Sequence, residues 1–493
     1  MTASSIADGG RANVVRRWID TALRRWYGEI FVAFWLAWGL ALAAGAYSLA
    51  PSDRLIAVAA GIAAGFACLE LLLRSLMRAV YGLGYEYAVL NYALVDHPVY
   101  GNCFRRPARM HEVRQLLFDK FLFRHGAPRH LDLAASMTDR VAFTVNSLGF
   151  RGSEFGTRKQ ARLRVFCVGG STTACDCNGD EQAWPARLEQ ALRAAGLDVE
   201  VINAGVQGWY SYQDYLRVRD EIVEYDADVI LLQQGWNEEF EYSSLSLGRK
   251  WRPRMVRNVR EQHHLCCPPS RLLSRTSQLS VYMAVHAFLK RVVFLRNMSF
   301  DNPARWRSLA ANDYITAWFD NMIATAELAQ AHGILLYNVN LPALPCLDDD
   351  EQTRRLYVAS TRLTPRFAHY QSISKARIAH TLRATAACIP CLDLDADIEH
   401  VRGAGRLAWF DDEMHTSVAG SRVMAEHIAG HLRSDATFRR RHEHPGLRAS
   451  NVSLDKAQIA EIRGALTRGN PVTDAAVSAV IQQLKLENQD ARP

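Results

Sequence analysis

Ser171 closes an apolar run and a pair of glycines, Val165-Phe166-Cys167-Val168-Gly169-Gly170, and is followed by Thr172 and Thr173. Such a run predicts a short buried strand ending in a tight turn, with the serine held at the carboxyl edge of a sheet. Open α/β sheets bind their ligands at that edge. A serine hydroxyl is a weak nucleophile. The chemistry therefore needs a base, a carboxylate to orient that base, and donors for a developing oxyanion.

Candidates for all three lie downstream. In Trp409-Phe410-Asp411-Asp412-Glu413-Met414-His415, Asp412 and His415 are three residues apart, so one short loop can carry both. The carboxylate then accepts from one imidazole nitrogen while the other nitrogen faces the serine. Asp411 is the rival carboxylate and ranks second. Val201–Trp209 reads as a strand ending in a glycine-rich turn, where the N–H of Gly208 can point at an oxyanion. Val229–Glu238 reads as another strand, with the carboxamide of Asn237 at its end. With the N–H of Ser171 itself, these make three donors.

The four blocks resemble those of the SGNH hydrolases, also called GDSL esterases and lipases. Gly169-Gly170-Ser171 stands where that family has Gly-Asp-Ser, and Asn203 to Gly208 resembles the second block. Gly235-Trp236-Asn237 resembles the third, and Asp412 to His415 the Asp-x-x-His block. The resemblance covers about residues 160–433, and four blocks in order are far more specific than any one of them. It implies a bacterial, membrane-anchored hydrolase that works through an acyl-serine intermediate. Ser171 would be the nucleophile, His415 the base and Asp412 its orienting carboxylate, with Gly208 and Asn237 as oxyanion donors. It implies neither a cofactor nor a metal. Gly170 and Glu238 depart from the family, which has acidic residues at the first position and Asp at the second; both bear on subfamily more than on chemistry. Val145-Asn146-Ser147-Leu148-Gly149-Phe150-Arg151-Gly152 is similar to a lead-in common in bacterial SGNH proteins, and structural packing is the role expected for it.

These residues need a scaffold, and the hydrophobic pattern supplies one. Strands are expected at Arg164–Val168, Val199–Asn203, Val229–Gln233, Ile334–Val339 and near Cys391–Leu394. Helices are expected over Gln182–Ala195, Tyr212–Glu224, near Trp318–His332, near Pro365–Ala387 and after His415. The alternation predicts a three-layer α/β/α parallel sheet, SGNH-like or flavodoxin-like.

Outside that core the chain divides into a basic segment (1–29), a membrane hairpin (30–78), a connector (79–160), the hydrolase domain (161–433) and a polar tail (434–493). Ile30–Ala50 carries no charge, and Leu55–Leu73 is apolar except for Glu70. Each is about long enough to span a bilayer, so a two-helix hairpin is expected. Arg11, Arg16, Arg17, Arg24 and Arg25 precede it, Arg74 and Arg78 follow it, and only Arg54 sits in the tip. The positive-inside rule places both ends on the cytoplasmic side. If the second segment does not span, the catalytic unit lies outside. Ser453–Leu466 and Thr473–Leu484 are expected as two short helices in the tail.

An insertion from about Tyr242 to Trp306 follows Asn237 and is expected as a cap beside the site. Its first part holds Arg249, Lys250, Arg252, Arg254, Arg257 and Arg260, and Leu279–Leu295 is apolar. A gate for an anionic or lipid-linked substrate, a membrane-surface contact and a solvated helical excursion all remain open. His263, His264, Cys266 and Cys267, and separately Cys388 and Cys391, lack a second half at zinc-ligand spacing. The net charge of +7, from 58 Lys+Arg against 51 Asp+Glu, is mild for 493 residues, and no nucleic-acid motif accompanies it. The expected partners are an acylated carbohydrate or lipid and a membrane, with no nucleic acid. The expected reaction is ester hydrolysis. An O-acyltransferase acting on an envelope polysaccharide and a non-catalytic assembly protein are the alternatives.

Overall fold

A computed structural model describes residues 41, 51–81, 94–97, 99–104, 108–110, 143–175, 178–238, 306, 313–360 and 365–490. Its centre is a five-stranded sheet of β5 (Leu163–Gly169), β6 (Val199–Asn203), β7 (Val229–Gln233), β8 (Leu335–Asn340) and β9 (Cys391–Asp393). The spatial order is β6-β5-β7-β8-β9, and each neighbouring pair is parallel. Every residue of β5, β7 and β8 is buried, as a parallel sheet covered on both faces requires.

The strand period of two sorts these residues between two cores. Phe166, Val168, Ile230, Leu232 and Leu336 pack in one. Val165, Cys167, Val229, Leu231, Leu335 and Tyr337 pack in the other. Trp184, Leu188 and Leu192 from the helix Trp184–Ala194, and Met424, Ile428 and Leu432 from the helix Val418–Ser434, cover the second core. The first is covered by helices Ser211–Asp220, Asp313–Ala331 and Pro365–Thr385, through residues such as Val218, Trp318, Met322 and Ile378. This is the expected three-layer parallel fold. All five strands run the same way, so the turns after β5, β6 and β7 gather at one edge.

Two small antiparallel pairs precede the sheet: β1 (Leu94–His97) with β2 (Gly101–Phe104), and β3 (Ala108–Met110) with β4 (Phe143–Val145). After β4, Asn146 Oδ1 accepts from the N–H groups of Leu148 (3.0 Å) and Phe150 (2.9 Å), while its Nδ2 donates to Ser153 O at 3.0 Å. Gly149 and Gly152 take φ of 85° and 101°, conformations a side chain would strain. The loop so folded delivers Arg151 against Asn203, at the end of β6.

The segment after residue 433 is more than a polar tail. It forms helices Ala436–Glu443, Lys456–Arg468 and Pro471–Asp490. Phe438 joins one core, and Val452, Ile459 and Leu466 join the other. Arg441 Nη2 donates to Gly333 O at 2.7 Å, and Asn451 Oδ1 accepts from Leu336 N at 2.8 Å.

The membrane hairpin is corrected in part. Residues Ala93 onward described here belong to one unit of the chain, and helix Pro51–Tyr81 belongs to another. Within that helix Leu55–Leu72 is long and apolar enough to cross a membrane. Pro51-Ser52-Asp53-Arg54, expected as a break, is its first turn, where proline lacks no needed hydrogen bond and Asp53 suits the helix dipole. The first expected span, Ile30–Ala50, lies outside the described residues apart from Ala41. Among the described residues the structure thus supports one apolar helix of spanning length. The cap insertion likewise lies outside the described residues except for Trp306, which is buried against Tyr370.

Candidate active site

Ser171 is the first residue of a four-residue helix, Ser171–Ala174, set directly on the end of β5. Its backbone bonds are few: Ala174 N donates to Gly170 O at 2.9 Å and Cys175 N to Ser171 O at 2.8 Å. Side chains do the rest. The hydroxyls of Thr172 and Thr173 both reach Gln233 Oε1 at the end of β7, and Trp184 Nε1 donates to Thr172 O at 3.0 Å. Gly169 is required because a Cβ there would collide with the Gln233 carbonyl and the Thr173 hydroxyl.

His415 arrives from a sequence-distant loop and places Nε2 at 2.8 Å from Ser171 Oγ. Its Nδ1 lies 2.7 Å from Asp412 Oδ2. The other oxygen of Asp412 accepts from the N–H groups of Met414 (2.9 Å) and His415 (2.8 Å). These two bonds aim the buried carboxylate at the imidazole. Asp411 meets the histidine through its backbone, its N–H donating to His415 O at 2.9 Å. The structure therefore brings the Asp412 carboxylate to the ring.

Asn237 lies in the short helical stretch 236–238 that follows the turn after β7, its Nδ2 donating to Trp209 O at 2.7 Å. That bond uses one of the two amide hydrogens. The contact ties the third block to the second, since Trp209 follows Gly208. Gly208 itself is exposed, with φ of 76° and nothing within 4 Å of an added Cβ. The space beside its backbone is open. Gly170 abuts the Asn237 amide: a Cβ at Gly170 would lie 2.7 Å from Asn237 Nδ2. A nucleophile, base and carboxylate in hydrogen-bonded sequence suit acyl transfer to and from serine.

A family model described as GDSL-like Lipase/Acylhydrolase matches residues 165–428, more than half of the chain. The chain belongs to that family. It is thereby an ester hydrolase of the lipase/acylhydrolase kind. Solved structures similar to this acylhydrolase include a GDSL-like lipase from Bacteroides thetaiotaomicron, at 17% identity over 55% of this chain and 88% of that one, with a TM-score of 0.27. A lipase/acylhydrolase from Enterococcus faecalis is 14% identical over 55% and 95%, with a TM-score of 0.28. An acetyl xylan esterase is 16% identical over 55% and 99%, with a TM-score of 0.29. No match was found among curated proteins.

Several side chains that support the site of this acylhydrolase carry no motif of their own. Glu238, where the family has Asp, is buried and accepts from Ser211 N and from Gly235 N at 3.2 Å. One carboxylate thus joins the helix after the second block to the turn of the third. Burial pushes its pKa up, and the hydrogen bonds from Ser211 and Gly235 oppose that rise. Asp214 is buried nearby; desolvation raises its pKa well above the usual carboxylate range, against the bond from Gln234 Nε2 at 2.8 Å. Asn203 Nδ2 donates to Thr173 O at 3.0 Å, and its Oδ1 accepts from Gly205 N at 3.0 Å, so the second block is seated on the nucleophile turn. Arg151 and Asn178 bind the same turn. The sequence signalled Asn203 through the second block, Glu238 through its departure from the third, and Arg151 through the Gly-Phe-Arg-Gly lead-in; Asp214 and Asn178 carried no signal.

His263, His264, Cys266 and Cys267 lie outside the described residues. Cys388 is buried and faces Gln458 at 3.9 Å, and burial pushes the Cys391 thiol up to about 12. Among the described residues no group of three or more His, Cys, Asp or Glu is placed to hold a metal ion.

Proposed function

We propose that the protein is a membrane-anchored serine ester hydrolase that removes an acyl group, such as acetyl, from a carbohydrate or lipid. The observation that carries the reading is the continuous chain from Ser171 Oγ to His415 Nε2 (2.8 Å) and from His415 Nδ1 to Asp412 Oδ2 (2.7 Å). In this mechanism His415 takes the Ser171 proton as the oxygen attacks the ester carbonyl. Asp412 holds the ring in the tautomer that accepts at Nε2 and stabilises the imidazolium formed. The N–H groups of Ser171 and Gly208 and the Asn237 amide receive the negative oxygen of the tetrahedral intermediate. His415 then gives its proton to the departing alcohol, leaving an acyl-serine. Water, deprotonated by His415, releases the acid and restores the hydroxyl.

The apolar stretch Leu55–Leu72 supports membrane attachment.

Incubation with a serine-reactive fluorophosphonate, followed by peptide mass spectrometry, is expected to place the adduct on Ser171. Turnover of p-nitrophenyl acyl esters is expected to vanish in Ser171→Ala and His415→Ala, with the double variant little worse than either, because such groups act as a unit. An adduct elsewhere, or full esterase activity in Ser171→Ala, refutes the mechanism.

A further inference from the structure

We infer that Arg151 and Asn178 are positioning residues that hold Ser171 and His415 in register; the inference rests on the roles proposed above for those two residues. The nucleophile turn is a helix of four residues, too short to satisfy its own carboxyl-terminal carbonyls. Arg151 satisfies them from outside. Its Nη1 donates to Ala174 O and, at 2.7 Å, to Cys175 O, while Nη2 donates to Asn178 O at 2.5 Å. Nε meets Asp180 Oδ1 at 3.2 Å, which fixes the plane of the guanidinium. The side chain is 1% exposed. A rigid planar fork can serve three carbonyls at once in a way an ammonium cannot.

Asn178 carries the frame across to the base. Its Nδ2 donates to Thr416 O at 3.0 Å, next in sequence to His415, and to Ser421 Oγ at 2.8 Å. Asn178 is buried at 2% exposure. The guanidinium therefore grips the end of the Ser171 turn and the Asn178 backbone together, while the Asn178 side chain grips the His415 loop from 238 residues away. The nucleophile–base bond is a 2.8 Å contact between the short helix after β5 and the sequence-distant loop of His415. A misplacement of about 1 Å between reacting groups costs on the order of 10²-fold in rate.

The test uses the full chain, with Asn178→Asp and Arg151→Lys as probes. Asn178→Asp keeps shape but sets an acceptor against the Thr416 carbonyl. Arg151→Lys keeps charge but loses the fork. Arg441→Lys is the structural control: this buried arginine also binds carbonyls, those of Gly333 and Ala449, at the opposite ends of the strands. Each variant is measured for kcat and KM on p-nitrophenyl acetate, for the rate of fluorophosphonate labelling of Ser171, and for Tm. Asn178→Asp is expected to lose about 10²-fold, and Arg151→Lys about 10-fold, in kcat and labelling rate. KM should stay within about threefold. Arg441→Lys is expected to lower Tm with kcat within about threefold of wild type. If Asn178→Asp does not fold, Arg151→Lys alone decides. Wild-type kcat and labelling rate per folded molecule in the variant or variants that fold overturn the inference and leave the proposed mechanism standing. Failure of wild-type protein to label at Ser171 overturns both.

Discussion

The glycine before the nucleophile permits a sharp test of the oxyanion site. At Gly170, with φ of −82° and ψ of −149°, an added Cβ would lie 2.7 Å from Asn237 Nδ2 and 3.3 Å from Trp209 O. To recover the 3.4 Å of ordinary contact the amide must withdraw by about 0.7 Å, and its bond to Trp209 O at 2.7 Å resists. A displacement of that size removes most of one oxyanion donor, which is worth about 2.7–4 kcal/mol, or 10²–10³ in kcat. Gly170→Ala is therefore expected to lower kcat on p-nitrophenyl acetate by about 10²-fold or more, with KM nearly unchanged. Gly170→Asp, which restores the family's usual residue, should be at least as harmful. Combined with Asn237→Ala, Gly170→Ala should add little, because the donor it displaces is already gone. A Gly170→Ala enzyme with wild-type kcat, or a double variant in which the two losses multiply, refutes the reasoning.

Asp412→Asn is expected to cost roughly 10⁴ in kcat, through the wrong imidazole tautomer. Asp411→Asn should cost less than tenfold, and steady-state kinetics showing the reverse order would reassign the orienting carboxylate. Asp214, whose pKa burial raises, holds a proton in the folded state that the unfolded chain releases, so folding stability falls as pH rises through the window from the ordinary carboxylate value to the raised one. Tm measured between pH 5 and 8 should therefore decline less in Asp214→Asn than in wild type, and parallel curves would remove Asp214 as a source. A Cβ at Gly205 would collide with Ala174 N and lie 2.7 Å from the Thr173 carbonyl carbon. Gly205→Ala is thus expected to lose about 1–3 kcal/mol of stability in denaturant titration, and a loss below about 0.5 kcal/mol would contradict that packing.

The sheet was legible because its strands are short apolar runs stopped by turn residues. Val199–Asn203 and Val229–Gln233 form over the residues expected. Helix ends were less so. The helix expected over Tyr212–Glu224 runs Ser211–Asp220 and then tightens into a separate 3-10 turn, Ile222–Glu224, a choice between local hydrogen-bond patterns that apolar spacing does not encode. The spacing that placed an acid near His415 left a one-residue ambiguity. The N–H groups of Met414 and His415 resolve it by turning Asp412 toward the ring. Asn178 was illegible as a site residue, and the partners of Arg151 and Glu238 were too, because charged or polar side chains in loops read as solvated, and only tertiary structure surrounds them with carbonyls and amides. The terminal segment misled for a related reason. Arg439, Arg440 and Arg441 make it look polar, yet Arg441 is among the most deeply buried side chains and Phe438 beside it is fully enclosed.

That terminal segment sets the order in which the molecule can be completed. Arg448 reaches the Ala227 carbonyl across 221 residues, and Arg162 reaches the Glu443 carbonyl across 281. Phe438, Val452, Ile459 and Leu466 fill space in cores whose first strand is Leu163–Gly169. The family match ends at residue 428, but the packed molecule does not. The residues after the family match follow the catalytic residues in the chain, so packing of the two cores is completed by contacts of long sequence separation, which slow folding. A chain cut at residue 433 would leave the Leu336 N–H and the Gly333 carbonyl without Asn451 and Arg441, and the two cores without Phe438, Val452, Ile459 and Leu466.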